Sequence, residues 1–133
     1  MAKKTFDPSE ALKHVKKIYT MVETLVNKNI PNTNTKIKEM AKGDGSIAYW
    51  SGKRAYNWYG SAFANIANDY QDCINVCNAV GSFASYAAEI GKENDKETGD
   101  SGVPKKLENY ASKFHDLATK AKNKRKKVLN NGD

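Results

Sequence analysis

Residues 59–90, YGSAFANIANDYQDCINVCNAVGSFASYAAEI, carry the pattern that decides the fold. Within them, side chains recur in alternating steps of three and four, and all but one are apolar or aromatic: Tyr59, Ala62, Ile66, Asp69, Cys73, Val76, Val80, Phe83, Ala87 and Ile90. This heptad spacing is typical of a helix that lies along another helix. We therefore predict a helix from about residue 52 to residue 90, at about 1.5 Å per residue more than 50 Å long.

The segment before it shows the signals of a helix start. Asp7 is a suitable N-cap, Pro8 suits the first helical position, and Glu10 stands three residues after Asp7 as in a capping box. The stripe that follows has the same three-four spacing: Leu12, Val15, Tyr19, Val22 and Val26. Pro31 should push Ile30 away from helical angles, so the helix either stops there or kinks and resumes.

A third helix is predicted near the C-terminal end, after a polar, Gly-containing loop at 91–102. Its stripe again alternates steps of three and four: Val103, Leu107, Tyr110, Phe114, Leu117 and Ala121. Together the segments predict an all-α fold in one domain, residues 1–133. The expected architecture is an elongated helical bundle, in which an antiparallel hairpin at 6–90 packs with a C-terminal helix at 103–130.

Three groups of residues are candidates for function. The reversal between the first two helices contains Trp50 and Gly52, where glycine permits tight backbone angles and the indole can cover the end of the helix pair. The core or an interface is predicted to contain Tyr59, Ile66, Cys73, Val76, Val80, Phe83, Leu107, Tyr110, Phe114 and Leu117. A basic tail that could bind anions contains Lys120, Lys122, Lys124, Arg125, Lys126 and Lys127.

The pieces Phe6–Leu12 (FDPSEAL), Trp50-Ser51-Gly52, and Ala55 followed by Trp58 resemble those of the WXG-type small proteins, which are early-secreted-antigen-like helical hairpins. The resemblance implies export by a type VII secretion system of Gram-positive bacteria or mycobacteria, without a cleaved signal peptide. The chain would be cytoplasmic before export. It also implies a homodimer, or a heterodimer with a helical protein such as a secreted toxin, and contact with the secretion ATPase. Neither Tyr86 nor Tyr110 begins the family's Tyr-x-x-x-Asp/Glu export signal, which a partner could supply.

The sequence offers few groups for catalysis. His14 and His115 are isolated on helical faces, and Cys73 and Cys77 are interpreted as two small buried hydrophobes on one stripe. We therefore expect a non-enzymatic protein with no cofactor and no metal, which acts as a secreted effector or a chaperone-like partner through helix–helix association. No apolar run reaches the roughly 20 residues of a membrane span.

The net charge of +7 leaves an alternative function open. The basic tail could bind the phosphates of a nucleic acid, with Trp50, Trp58 and Tyr59 stacking on bases. The alternative for the tail itself is a solvated helix end, where cations are favoured by the helix dipole.

Overall fold

The computed structural model describes residues 7–43, 58–98 and 102–131. The chain forms α1 (Pro8–Thr24), a π turn (Leu25–Asn29), α2 (Ile30–Gly43), α3 (Trp58–Thr98) and α4 (Val103–Asn131). Because α1, the π turn and α2 follow one another without a break, we call residues 8–43 the N-terminal helix. The described ranges contain three long helices and no strand, so the predicted all-α class is confirmed. Among the described residues, none of the helices is long and apolar enough to cross a membrane.

The N-terminal helix begins at the N-cap and the proline that the sequence predicts. The Asp7 carboxylate accepts a hydrogen bond of 3.0 Å from the Ser9 backbone N–H, and the Asp7 carbonyl accepts another from the N–H of Ala11. Pro8 occupies the first turn, where its missing N–H costs nothing. The side chain of Asp7 therefore satisfies one of the backbone donors that every helix start leaves open.

Pro31 does not end this helix, and the prediction that it pushes Ile30 out of helical angles is wrong. Ile30 has φ −65° and ψ −46°, and its N–H donates to the carbonyl of Leu25, five residues back. A proline normally crowds the carbonyl four residues earlier, here that of Asn27. The wider π turn, which lies directly before Pro31, changes the carbonyl positions in that turn, so the helix continues to Gly43.

The three long helices pack antiparallel in sequence order. Near one end of the bundle, an ideal Cβ on Gly91 would lie 3.4 Å from Pro8 and 3.0 Å from Pro104. Toward the other end, Pro31 and Tyr70 line one cavity together with Lys127. The N-terminal helix and α4 therefore run parallel to each other, and both run antiparallel to α3, whose 41 residues span about 60 Å.

The seam of α3 that faces the bundle is displaced by about one residue from the predicted one. Ile66, Cys73 and Ala87 are buried, but Val76 and Phe83 are 38% and 40% exposed and lie outside the core, and Val80 is half-buried. The residues that fill the buried positions instead are Phe63, Ala67, Tyr70, Ile74, Cys77, Ala84 and Ala88. Small residues explain the shift. Gly81 has no side chain, and α4 approaches it so closely that a Cβ added to Gly81 would lie only 3.3 Å from the Cβ of Phe114.

The loop predicted at 91–102 is shorter than expected, because α3 continues to Thr98. Gly91 is buried against Pro8 and Pro104, so the helix still packs at this point. Lys92 then forms an ion pair with Glu108 on α4, which raises the pKa of Lys92. Gly102, with φ +78°, stands directly before α4 in a backbone conformation that glycine adopts without strain.

Candidate functional site

An apolar groove of about 350 Å³ lies between the N-terminal helix and α3. It is lined by Val22, Leu25, Ile30, Asp69, Asp72, Cys73 and Val76. Five of these seven side chains are apolar, and the two carboxylates stand on neighbouring positions of one helix. Burial raises the pKa of Asp69, and the negative charge of Asp72 raises it further. The groove is therefore an apolar surface that carries acidic groups along α3.

Large apolar side chains extend this groove along the surface. Met21 stands one helical turn before Leu25, and Phe83 stands two turns after Val76. Because the N-terminal helix and α3 are antiparallel, both steps lead in the same direction along the bundle. Met21, Leu25, Val76 and Phe83, all at least 38% exposed, thus form what we call the apolar strip.

An aromatic cluster joins the N-terminal helix to α4. The ring of Tyr19 meets Tyr110 and Phe114 edge-to-face, at centroid distances of 5.6 and 5.2 Å. The Lys113 ammonium lies 4.9 Å from the Tyr110 centroid and 5.8 Å from that of Tyr19. Leu107, Phe114 and Leu117 are buried, and Tyr110 is half-buried. These residues of α4 hold the bundle together and leave little surface for a ligand.

The two cysteines are free thiols in the core, as their spacing predicts. Burial raises the pKa of Cys77 to about 11, and burial with the charges of Asp69 and Asp72 raises that of Cys73. Because the thiolate is the nucleophilic form, neither cysteine is activated for chemistry at neutral pH. Within the described residues, no group of three His, Cys, Asp or Glu side chains could hold a metal ion.

The basic tail is divided between two sides of α4. Lys124 and Lys127 line a cavity of about 400 Å³ together with Lys38 of α2 and with Asn34, Thr35, Pro31 and Tyr70. Lys122, Arg125 and Lys126 face a second cavity beside Gln71 and Leu129, and Lys120 is exposed. We call the first of these the cationic cavity, because all three of its charged lining residues are lysines.

Sequence reasoning missed Lys38, Asn34 and Tyr70 at this cavity. Asn34 is 6% exposed and continues the buried series Val22, Val26 and Ile30 in steps of four. That spacing would rotate away from the core in a regular α-helix, which turns by about 100° per residue. The π turn rotates less per residue than an α-helix and so removes the excess rotation. No sequence pattern announces such a turn, although a polar residue in a buried series is a signal that could have been noticed.

Other predicted residues fall outside these features. Trp50 and Gly52 lie outside the described residues, and Tyr59 belongs to the first turn of α3 in a part whose side chains are not described. His14 and His115 are exposed, and His14 lies 3.9 Å from the carboxylate of Glu10.

No known protein family, no curated protein and no solved structure matches this chain.

Proposed function

We propose that this protein is a non-enzymatic component of a type VII secretion system, either exported itself or serving as a secretion partner, that acts by associating with another helical chain. The observation that carries the proposal is the apolar strip. Three packed helices cover most of one another's apolar surface, yet Met21 and Phe83 remain 59% and 40% exposed beside a groove that Leu25 and Val76 line. Large exposed apolar side chains grouped around a groove are typical of an interaction site.

The shape of the strip favours a helical partner. It follows the junction of two antiparallel helices, and a groove between helices accepts the apolar stripe of a third. The partner would present apolar residues at steps of three and four, and a basic residue opposite Asp69 and Asp72. A second copy of this chain or a larger toxin with a helical region both meet this description.

The position of the Trp50-Ser51-Gly52 motif supports the type VII assignment. The motif lies in the segment that connects Gly43 with Trp58, and the helices on either side of that segment run antiparallel. A Trp-X-Gly motif between the two helices of a hairpin is the arrangement that the WXG-type resemblance implies.

The test is sedimentation velocity of the protein alone and with the product of the adjacent gene, at low and at high salt. We expect a dimer or a heterodimer that high salt weakens only slightly, because apolar contacts would dominate. Met21→Ser should weaken association, and Met40→Ser is the matched control, because Met40 is similarly exposed at 52% but lies outside the strip. A monomer that ignores the gene product, or equal effects of the two variants, would contradict the proposal.

A further inference from the structure

We propose that the cavity between α3 and α4 that contains Arg125 is a binding site for a phosphate group. It measures about 460 Å³, and we call it the arginine cavity. Lys122, Arg125 and Lys126 line it from α4. They share one face of the helix, because Arg125 and Lys126 stand three and four residues after Lys122. The site is independent of the proposed association, because the apolar strip follows the other junction of α3, with the N-terminal helix.

The positive charges at the arginine cavity are not neutralised within the described part of the chain. None of the described residues that line it is acidic, and none of its three cations forms an ion pair or a side-chain hydrogen bond with another described residue. Lys13 and Lys92, by contrast, pair with Glu10 and Glu108. Like charges gathered around one space repel each other, so an anion placed between them would replace repulsion by attraction.

The side chain of Arg125 points most directly to a ligand. It is half-buried, and its Nε is shielded from solvent and has no hydrogen-bond partner. This nitrogen can only donate, so the group that it lacks is an acceptor, and a buried donor without an acceptor is unfavourable. Rotation about the last bonds of the side chain would turn Nε–H and one terminal N–H together toward the cavity. Arginine binds two oxygens of a phosphate in this bidentate arrangement.

Two amides and an apolar wall complete the surroundings of an oxyanion. The side chains of Asn123 and Asn130 line the cavity without a hydrogen-bond partner among the described residues, and their amides can donate to phosphate oxygens. Buried Ile74 and half-buried Leu129 form an apolar wall, beside which charge interactions are stronger than in water. The negative end of the helix dipole opposes an anion mainly within the last turn, and Arg125 lies six residues before the end of α4.

The size of the cavity indicates the class of ligand. Sites for small molecules commonly measure about 300–1,000 Å³, and the arginine cavity falls in that range. It has room for a phosphate together with the group that carries it. A free phosphate and a phosphate of a nucleic-acid backbone offer the same oxygens, so the experiment has to separate these two sources.

The experiment titrates the full chain with inorganic phosphate and, separately, with a short single-stranded oligothymidylate, followed by two-dimensional amide NMR. The same spectra contain the Nε–H signals of Arg54 and Arg125, the two arginines of the chain. We expect saturable shifts of the Arg125 signal and of the backbone amides around Lys122 and Lys126. A local response to the oligonucleotide assigns a backbone phosphate, and a local response to inorganic phosphate alone assigns the free ion. Shifts spread evenly over the lysines of the chain, or no saturable shift with either probe, would overturn the proposal.

A double variant tests the charges. Lys122→Gln with Lys126→Gln changes two exposed side chains and should weaken binding about tenfold or more, as expected for lost charge-assisted hydrogen bonds. With the oligonucleotide, the slope of log affinity against log salt should fall by about 1.4, which is about 0.7 for each of two lost phosphate contacts. The control, Lys105→Gln with Lys106→Gln, removes the same charge from exposed positions near the start of α4. Equal losses in the two double variants would show unspecific attraction and refute the site.

Arg125→Lys supplies the independent readout. It keeps the positive charge but removes Nε–H and the paired donors of the guanidinium, and the loss of its NMR signal assigns that signal to Arg125. We expect phosphate and the oligonucleotide to bind about tenfold more weakly, while the salt slope with the oligonucleotide stays as in the parent. If Arg125→Lys binds phosphate as tightly as the parent, the anion does not contact the guanidinium and the proposal fails.

Discussion

Replacing Phe114 by Ala should destabilise the bundle more than any other single aromatic truncation on α4. The side chain is fully buried, and its ring meets that of Tyr19 edge-to-face at a centroid distance of 5.2 Å. It also packs closely against α3, because a Cβ added to Gly81 would lie only 3.3 Å from the Cβ of Phe114. Truncating a buried Phe costs about 3–5 kcal/mol through lost transfer energy and the cavity left behind. The lost aromatic pair, at about 0.5–1.5 kcal/mol, places the expected value in the upper half of that range.

Phe83→Ala is the matched control, because it makes the same chemical change at a residue that is 40% exposed. Fully burying a Phe side chain is worth about 1.5–3 kcal/mol, and water can fill the space that an exposed ring leaves. We therefore expect Phe83→Ala to cost about 1 kcal/mol. The difference between the two variants should exceed about 2 kcal/mol.

The measurement is urea unfolding followed by circular dichroism, at a protein concentration low enough to keep the chain monomeric. Parent and variants should share one slope against denaturant, and the midpoints should separate them. If Phe83→Ala destabilises as strongly as Phe114→Ala, then α3 faces the bundle with the seam predicted from the sequence, and the register described above is wrong. A small and equal effect of both would mean that α4 does not pack through Phe114.

Three further predictions concern the helix contacts, the thiols and the helix start. Gly81→Val should lower the free energy of unfolding by about 1–3 kcal/mol, because its branched side chain collides with Phe114, and an unchanged urea midpoint would refute the close approach. Burial raises the pKa of Cys77 from 9.0 to about 11, so the stability that the neutral thiol contributes is complete below pH 9 and is lost as the pH rises toward 11. Thermal melts should show that loss in the parent but less of it in Cys77→Ala. Asp7→Ala should cost about 1 kcal/mol by removing the N-cap, whereas Asp7→Asn should cost little, as measured in the same urea assay.

The sequence predicts the helices well where local signals and the packed structure agree. The N-cap at Asp7 and the stripe of α4 depend on short-range geometry and on periodicity, and both follow from the residues alone. The face of α3 that packs into the bundle does not follow from the residues alone. Apolar residues cover a wide arc of this helix, and the three-four spacing of apolar residues wrongly places Val76 and Phe83 in the core. The packed helix instead turns Gly81 and its small neighbours toward α4, since close approach favours small residues over apolar ones.

The π turn shows a second limit of sequence reasoning. Proline normally excludes helical angles at the preceding residue, and Pro31 gives no local sign that the rule fails here. The exception arises because the wider turn, with Ile30 bonded to Leu25, brings Ile30 and Asn34 into contact with the rest of the bundle. The cationic cavity depends on this tertiary adjustment, so only the Lys124 and Lys127 side of it was predictable.

The antiparallel order of the helices separates the two ends of the described chain. Pro8 lies beside Gly91 and Pro104, whereas Lys127, only four residues before the end of α4, lies at the cavity with Asn34 and Lys38. From Pro104 to Lys127 the helix rises about 35 Å. A fluorescent protein or an affinity tag fused ahead of Asp7 would therefore stand far from the cationic cavity. The same fusion placed after Asn131 would begin only four residues beyond Lys127, which lines that cavity, so the choice of fusion end is itself a variable in any binding experiment.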